Sequence, residues 1–312
     1  MLKQQVLRKF FLASLFFAFI ISAHGASDTL GLFERAPVYN KKRIHQITYG
    51  VCIAYPAGMY WLYTQWYRDY PQSSFHFFND LEEWQQVDKA GHIFNSYTLG
   101  KASMRMLEWA GIKSRKALWY GAGAGLVFHT TLEVFDGFSS QWGFSGADMV
   151  SNFAGTGIFV GQQLAWNEQR IVLKYSFHQT KYAAYRPSLL GSNLPENALK
   201  DYNGQTYWIC VNPYSFVKTT SHFPKWLSIA LGYGAEGMTG GHSNPEFDEG
   251  IPVPQFRRYR QFYLAVDIDV ARIETRSKFL SAVFKAINAI HLPAPAIEFN
   301  SGGSAKFYPF YF

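Results

Sequence analysis

Cysteine and charge are both scarce in this sequence. Two cysteines, Cys52 and Cys210, leave room for at most one disulfide. An oxidising compartment permits that bond. However, Cys52 sits in an apolar helix-like run and Cys210 in a strand-like one, so they read as two separate buried thiols. Charged residues make up only 16% of the chain, fewer than the 18% that are aromatic. No nucleophile elbow, phosphate-binding loop, dinucleotide fingerprint or His-x-Glu-x-x-His string occurs. Nothing reads as a nucleic-acid module, and no cofactor is expected.

What is present points to the cell envelope. Lys3, Arg8 and Lys9 form a basic start, residues 10–23 are uncharged and almost wholly apolar, and Ala23-His24-Gly25 is a small-x-small pattern. Together they predict a secretory signal peptide over residues 1–25, cleaved near Gly25 or Ala26. The apolar run is short for a retained anchor helix. No cysteine lies near the cleavage site, so lipid attachment there is not expected. Twenty Tyr and nine Trp suit a membrane–water boundary, and a net charge of +7 favours anionic headgroups or other acidic envelope polymers. The partners expected are therefore membrane lipid and an envelope protein or glycan, with the chain periplasmic and membrane-associated.

The pattern changes near residue 170. Before it, four helices are predicted, over 44–66, 87–109, 116–135 and 145–166. The first is long enough to span a bilayer, although Pro56 should kink it. Gly121-x-x-x-Gly125 and Gly157-x-x-x-Gly161 are faces where another helix can approach closely. After residue 170 the period shifts towards two. Strands are expected around Thr206–Val211, Leu227–Tyr233, Leu264–Val270 and the terminal run 307–312, with one helix over about 276–290. Asn203-Gly204 and Gly302-Gly303 read as hairpin turns, and 237–258 as a loop. About six strands are too few for the smallest closed membrane barrel, and Pro309 weakens a membrane strand. The fold class expected is α+β: a helical, partly membrane-embedded bundle over 26–170, then a β-rich domain with one helix over 171–312.

The chemistry, if there is any, lies in polar groups set within the apolar helices. Asp88 and His92 are four apart, with Lys89 beside them. His129 and Glu133 repeat the spacing, with Asp136 three further on, and Asp148 and Asn152 repeat it again. Buried singly, each would cost several kcal/mol, so they should meet one another or a ligand. The candidate cluster is Asp88, His92, Glu133, Asp136, Asp148 and Asn152. Three readings fit it: a structural network fixing helix register, a metal site, or an acid–base site acting on a lipid or wall-linked substrate. Ser145 reads as a helix N-cap with Asp148 three residues on. Asp267 and Asp269 read as a solvated strand face. The basic run Arg257-Arg258-Tyr259-Arg260 reads as a solvated loop that could also touch lipid phosphates.

Several strings carry a resemblance. Asp88-Lys89-Ala90-Gly91-His92, Glu133-x-x-Asp136-Gly137-Phe138, Trp142-Gly143-Phe144-Ser145-Gly146-x-Asp148 and Asn152-x-x-Gly155 resemble the YfiM-like family of predicted periplasmic or membrane-associated proteins. The likeness extends over roughly residues 40–212, through Lys200-Asp201-Tyr202-Asn203-Gly204-Gln205-Thr206-Tyr207-Trp208, and the tail is similar to a Bacteroidetes-type extended form. The order of these residues is also similar to the VanZ-like membrane family, linked to glycopeptide resistance. The resemblance implies that the six cluster residues belong to one site, and it implies no reaction. The function expected is a non-enzymatic envelope protein that binds or holds structure at a membrane. The alternative is a membrane-associated hydrolase using the cluster.

Overall fold

The computed structural model describes residues 31–68, 70–217 and 224–312. The expected signal segment lies outside the described residues. Four helices come first: α1 (Lys41–Trp66), α2 (Val87–Trp109), α3 (Ser114–Gly137) and α4 (Gly146–Trp166). Caps set two of these starts. The Asn40 side chain accepts the Arg43 N–H at α1, and Ser145 Oγ accepts the Asp148 N–H at 3.0 Å at α4.

Glycines decide how closely α2, α3 and α4 approach. A Cβ on Gly121 would lie 2.7 Å from the Gly100 carbonyl oxygen, and one on Gly155 would lie 2.1 Å from the Ile93 carbonyl oxygen. Backbones in that contact admit no side chain. The Gly157 and Gly161 pair plays no such part, because nothing lies within 4 Å of a Cβ at either position.

The expectation of a partly membrane-embedded bundle is overturned. Among the described residues, no helix is long and apolar enough to cross a membrane. The cause is visible in the helices themselves. α2 carries Asp88, Lys89, His92, Lys101, Arg105 and Glu108, and α1 spreads Tyr, Thr and Gln through its length. Cys52 departs from expectation too. It is exposed on α1, whereas Cys210 is buried, and both thiols are free.

The sheet follows: β1 (Ile171–Phe177), β2 (Gln205–Val211), β3 (Leu227–Glu236), β4 (Tyr259–Ile268), β5 (Ala294–Asn300) and β6 (Ala305–Tyr311). These six strands form one antiparallel meander, each paired with its neighbour in sequence. A short helix α5 (Leu194–Lys200) precedes β2, and α6 (Lys278–Ile287) lies between β4 and β5. Gly303, at φ +88°, sits in the β5–β6 turn. Asn203-Gly204 is not a hairpin. It joins α5 to β2, where the Asn203 amide is buried and donates to the Met238 carbonyl at 2.8 Å.

The sheet is apolar on its outer face, while its inner face mixes charged groups with aromatic and small apolar side chains. One row across the register reads Leu173, Ile209, Leu231, Leu264, Ile297 and Phe307. All of these except Leu173 are exposed. The facing row reads Lys174, Trp208, Gly232, Tyr263 and Glu298, all buried. The sheet also curls: Tyr311 on β6 bonds Thr206 on β2 at 2.9 Å and Tyr263 on β4 at 2.9 Å. Inside that curl Lys174 and Asp267 pair at 2.8 Å, and Trp208 stacks on His291 at 3.9 Å. Asp267 and Asp269 are thus buried, not a solvated face. Side-chain parity alone cannot tell which face of a strand meets water.

Helices and sheet share a core. Trp84 and Val87, at the entry to α2, pack with Tyr182, Leu190, Ala235 and Met238. Tyr97 and Phe159 pack against Leu173 of β1. The helical half therefore covers the outer sheet face over β1, part of β2 and the Ala235 end of β3, and leaves the rest of the β3–β6 side open.

Candidate functional site

The site begins with a backbone turn. Trp84, Gln85 and Gln86 all have positive φ, at 48°, 53° and 63°. Consecutive left-handed residues other than glycine are costly and need support from outside. The Trp84 N–H donates to the Gly241 carbonyl at 3.0 Å, and Arg260 donates to the Gln86 side chain at 2.6 Å. Arg258 donates to the Gly240 carbonyl at 3.1 Å. Arg258 and Arg260 of the basic run are thus tied to protein partners. This turn launches α2, with Asp88 and Lys89 in its first turn.

Lys89 is the hub. Its Nζ lies 2.8 Å from Asp80, 2.8 Å from Asp88 and 2.7 Å from Asp148. All four residues are buried. Ser145 Oγ donates to Asp80 Oδ1 at 2.5 Å while accepting the Asp148 N–H. Burial works against the Lys89 ammonium, but the carboxylates outweigh it and its pKa is raised.

The second half of the cluster surrounds His92. Its Nδ1 lies 3.1 Å from Asn152 Oδ1 and 3.8 Å from Glu133 Oε1, and its Nε2 lies 3.5 Å from Asp148 Oδ1. Ser96 Oγ also donates to Asn152 Oδ1 at 3.0 Å. The Ser145 N–H donates to Glu133 Oε2 at 3.2 Å, while Glu133 Oε1 has no hydrogen-bond partner among the described residues. Burial, then the charge of Asp148, pushes Glu133 up to about 9, so it is protonated at neutral pH. Burial likewise raises Asp88 to about 6 and Asp148 to about 7, and lowers His92. Asp80 moves the other way. Bonds from Asp148, Lys89 and Ser145 outweigh its burial and lower its pKa.

Five of the six expected residues therefore meet: Asp88, His92, Glu133, Asp148 and Asn152. Asp136 stands apart. Its Oδ1 accepts the Tyr67 hydroxyl at 2.8 Å, and burial raises it to about 7. His129 packs beside His92, with ring centroids 5.9 Å apart. Asp80 was invisible in the sequence. It belongs to a loop, shares no helical spacing with the others, and only the fold carries it to Lys89. Ser96, one turn beyond His92, offered a four-residue spacing that could have found it.

Helices that converge on a buried carboxylate–lysine–histidine cluster, joined to a curled antiparallel meander, define an α+β chain with a concentrated polar centre in its helical half. Residues 76–161 match the model of a family described as "Predicted periplasmic lipoprotein (DUF2279)". The match spans the turn before α2 and nearly all of α2–α4, and so the whole cluster. It supports a periplasmic, cell-envelope address. No curated protein and no solved structure matches the chain.

Proposed function

We propose that the chain is a membrane-associated envelope protein of non-enzymatic type, seated on lipid through the outer face of its sheet. One observation carries this reading: the open β3–β6 face turns a contiguous set of apolar side chains outwards, while charged groups such as Lys174 and Asp267 lie inside. Ile229, Leu231, Phe262, Leu264, Val266, Ile297, Phe299 and Phe307 are all exposed there. A sheet facing water buries its apolar face; the reverse arrangement is that of a lipid-facing sheet.

The border of the face fits a headgroup region. Trp166, Phe216, Trp226 and Phe312 are exposed near the end where β1 and β3 begin and β6 finishes. Arg170 lies over the Trp166 ring at 4.9 Å, and Lys225 over the Tyr214 ring at 5.9 Å. Aromatic rings and cations together suit anionic lipid. Strand addition by a second copy is disfavoured, because Pro309 and a break in register between Tyr308 and Tyr311 blunt the β6 edge. The narrower likeness to YfiM-like and VanZ-like proteins agrees with an envelope role and adds no reaction. A hydrolase built on the cluster is the second reading. The feature that favours it is the His92 side chain, 23% exposed beside the buried Glu133.

The test is flotation with vesicles containing anionic phospholipid. The protein should float with them, and Leu231→Asp with Leu264→Asp should abolish flotation while far-UV circular dichroism stays native. Wild-type protein that stays at the bottom of the gradient would end this reading.

A further inference from the structure

We propose that His92, Glu133 and Asp148 form a binding site for one divalent transition-metal ion. One donor atom from each lies within 4.8 Å of the other two. A nitrogen with two carboxylate oxygens is the donor set that zinc and its neighbours accept, at about 2.0–2.2 Å from each ligand. The three side chains close slightly on such an ion, with His92 Nε2 and Asp148 Oδ1 already 3.5 Å apart.

The surroundings are arranged for a ligand. Glu133 and His92 are each anchored through their other atom. The Ser145 N–H holds Glu133 Oε2, leaving Oε1 buried and unpartnered at a residue only 1% exposed. Asn152 Oδ1 holds His92 Nδ1, so the Nε2 lone pair turns towards Asp148. A second-shell acceptor of this kind orients metal-binding imidazoles. Asp148 is held at the α4 start by Ser145, and its Oδ1 lies 2.7 Å from Lys89 Nζ and 3.5 Å from His92 Nε2.

The neighbouring carboxyl groups point the same way. Lys89 Nζ lies within 2.8 Å of Asp80, Asp88 and Asp148. A second triad, Asp80, Asp88 and Asp148, has the same convergence, but the Lys89 ammonium already fills it. Glu133 stands outside that triad, and its unpartnered Oε1 lies on the His92 side. His92 supplies the entry path, as the only one of the three ligands with appreciable solvent exposure, at 23%.

This inference is independent of lipid docking, and its test uses no membrane. Tag-free full-length protein is stripped with chelator, then titrated separately with Zn2+ and Mn2+ by calorimetry, with bound metal measured by mass spectrometry. One equivalent of at least one ion should bind. His92→Ala and Glu133→Gln should weaken binding tenfold or more, while Glu83→Gln, outside the triad, should leave it unchanged. If the site variants do not fold, wild-type protein still decides, since saturating metal should shift the His92 ring-nitrogen resonances. Less than one equivalent bound for both ions, unchanged affinity in folded site variants, or unmoved His92 resonances would overturn the assignment.

Discussion

Lys89 holds the residue-scale balance of the helical half. Its ammonium lies within 2.8 Å of three carboxyl groups that would otherwise face one another away from water. Removing one partner of a buried ion cluster typically costs about 3–5 kcal/mol, because charge is left uncompensated. Lys89→Met should therefore lower unfolding stability by about that amount in urea titrations at pH 7. Lys101 presents the opposite case. It is buried, its ammonium lies 4.6 Å from the Tyr97 ring centre, and burial lowers its pKa to about 7. An unfolded lysine titrates near 10.4, so between about pH 7 and 10.4 the unfolded chain binds more protons than the folded one. Through Lys101, stability should rise with pH across that window. Lys101→Met should stabilise the protein at neutral pH and flatten its stability profile between pH 7 and 10, as measured by urea midpoints.

Elements meet where side chains are missing. Gly155 presses on the Ile93 carbonyl, so Gly155→Ala must push α4 away from α2, at a cost of about 1–3 kcal/mol or more. Gly157 is two residues on and faces open space, so Gly157→Ala should be neutral or gain up to about 1 kcal/mol from helix propensity. Comparing the two melting temperatures separates packing glycines from incidental ones. Their spacing ranked them the wrong way: Gly157 and Gly161 looked like a packing pair, whereas Gly155 has no glycine four residues away. Spacing shows which residues share a face, and a partner helix must be placed before that face means contact.

The whole molecule turns a greasy sheet face outward beside an aromatic and basic border. Vesicle binding through that face should combine area burial with attraction to anionic lipid, so raising salt should weaken it without abolishing it. Trp226 fluorescence should shift to the blue on binding, and a Trp226-only variant read with and without vesicles checks this. The sequence held the alternation of β3 and β4, where Ile229, Leu231, Leu264 and Val266 recur every second residue. Alternation marks two faces and names neither as the inside. The buried Lys174–Asp267 pair inverted the natural assumption, since two charges that satisfy each other can occupy an interior.

By itself the sequence determined four helices, near 44–66, 87–109, 116–135 and 145–166, most of the strands, and five members of the polar cluster. These follow from local periodicity and from the cost of burying lone charges. Tertiary structure alone decided that Asp80 joins Lys89, that Asp136 goes to Tyr67, that Asp267 is interior, and which sheet face is open. Each of those outcomes depends on groups far apart in the chain being brought within a few ångströms, and no local pattern encodes that distance.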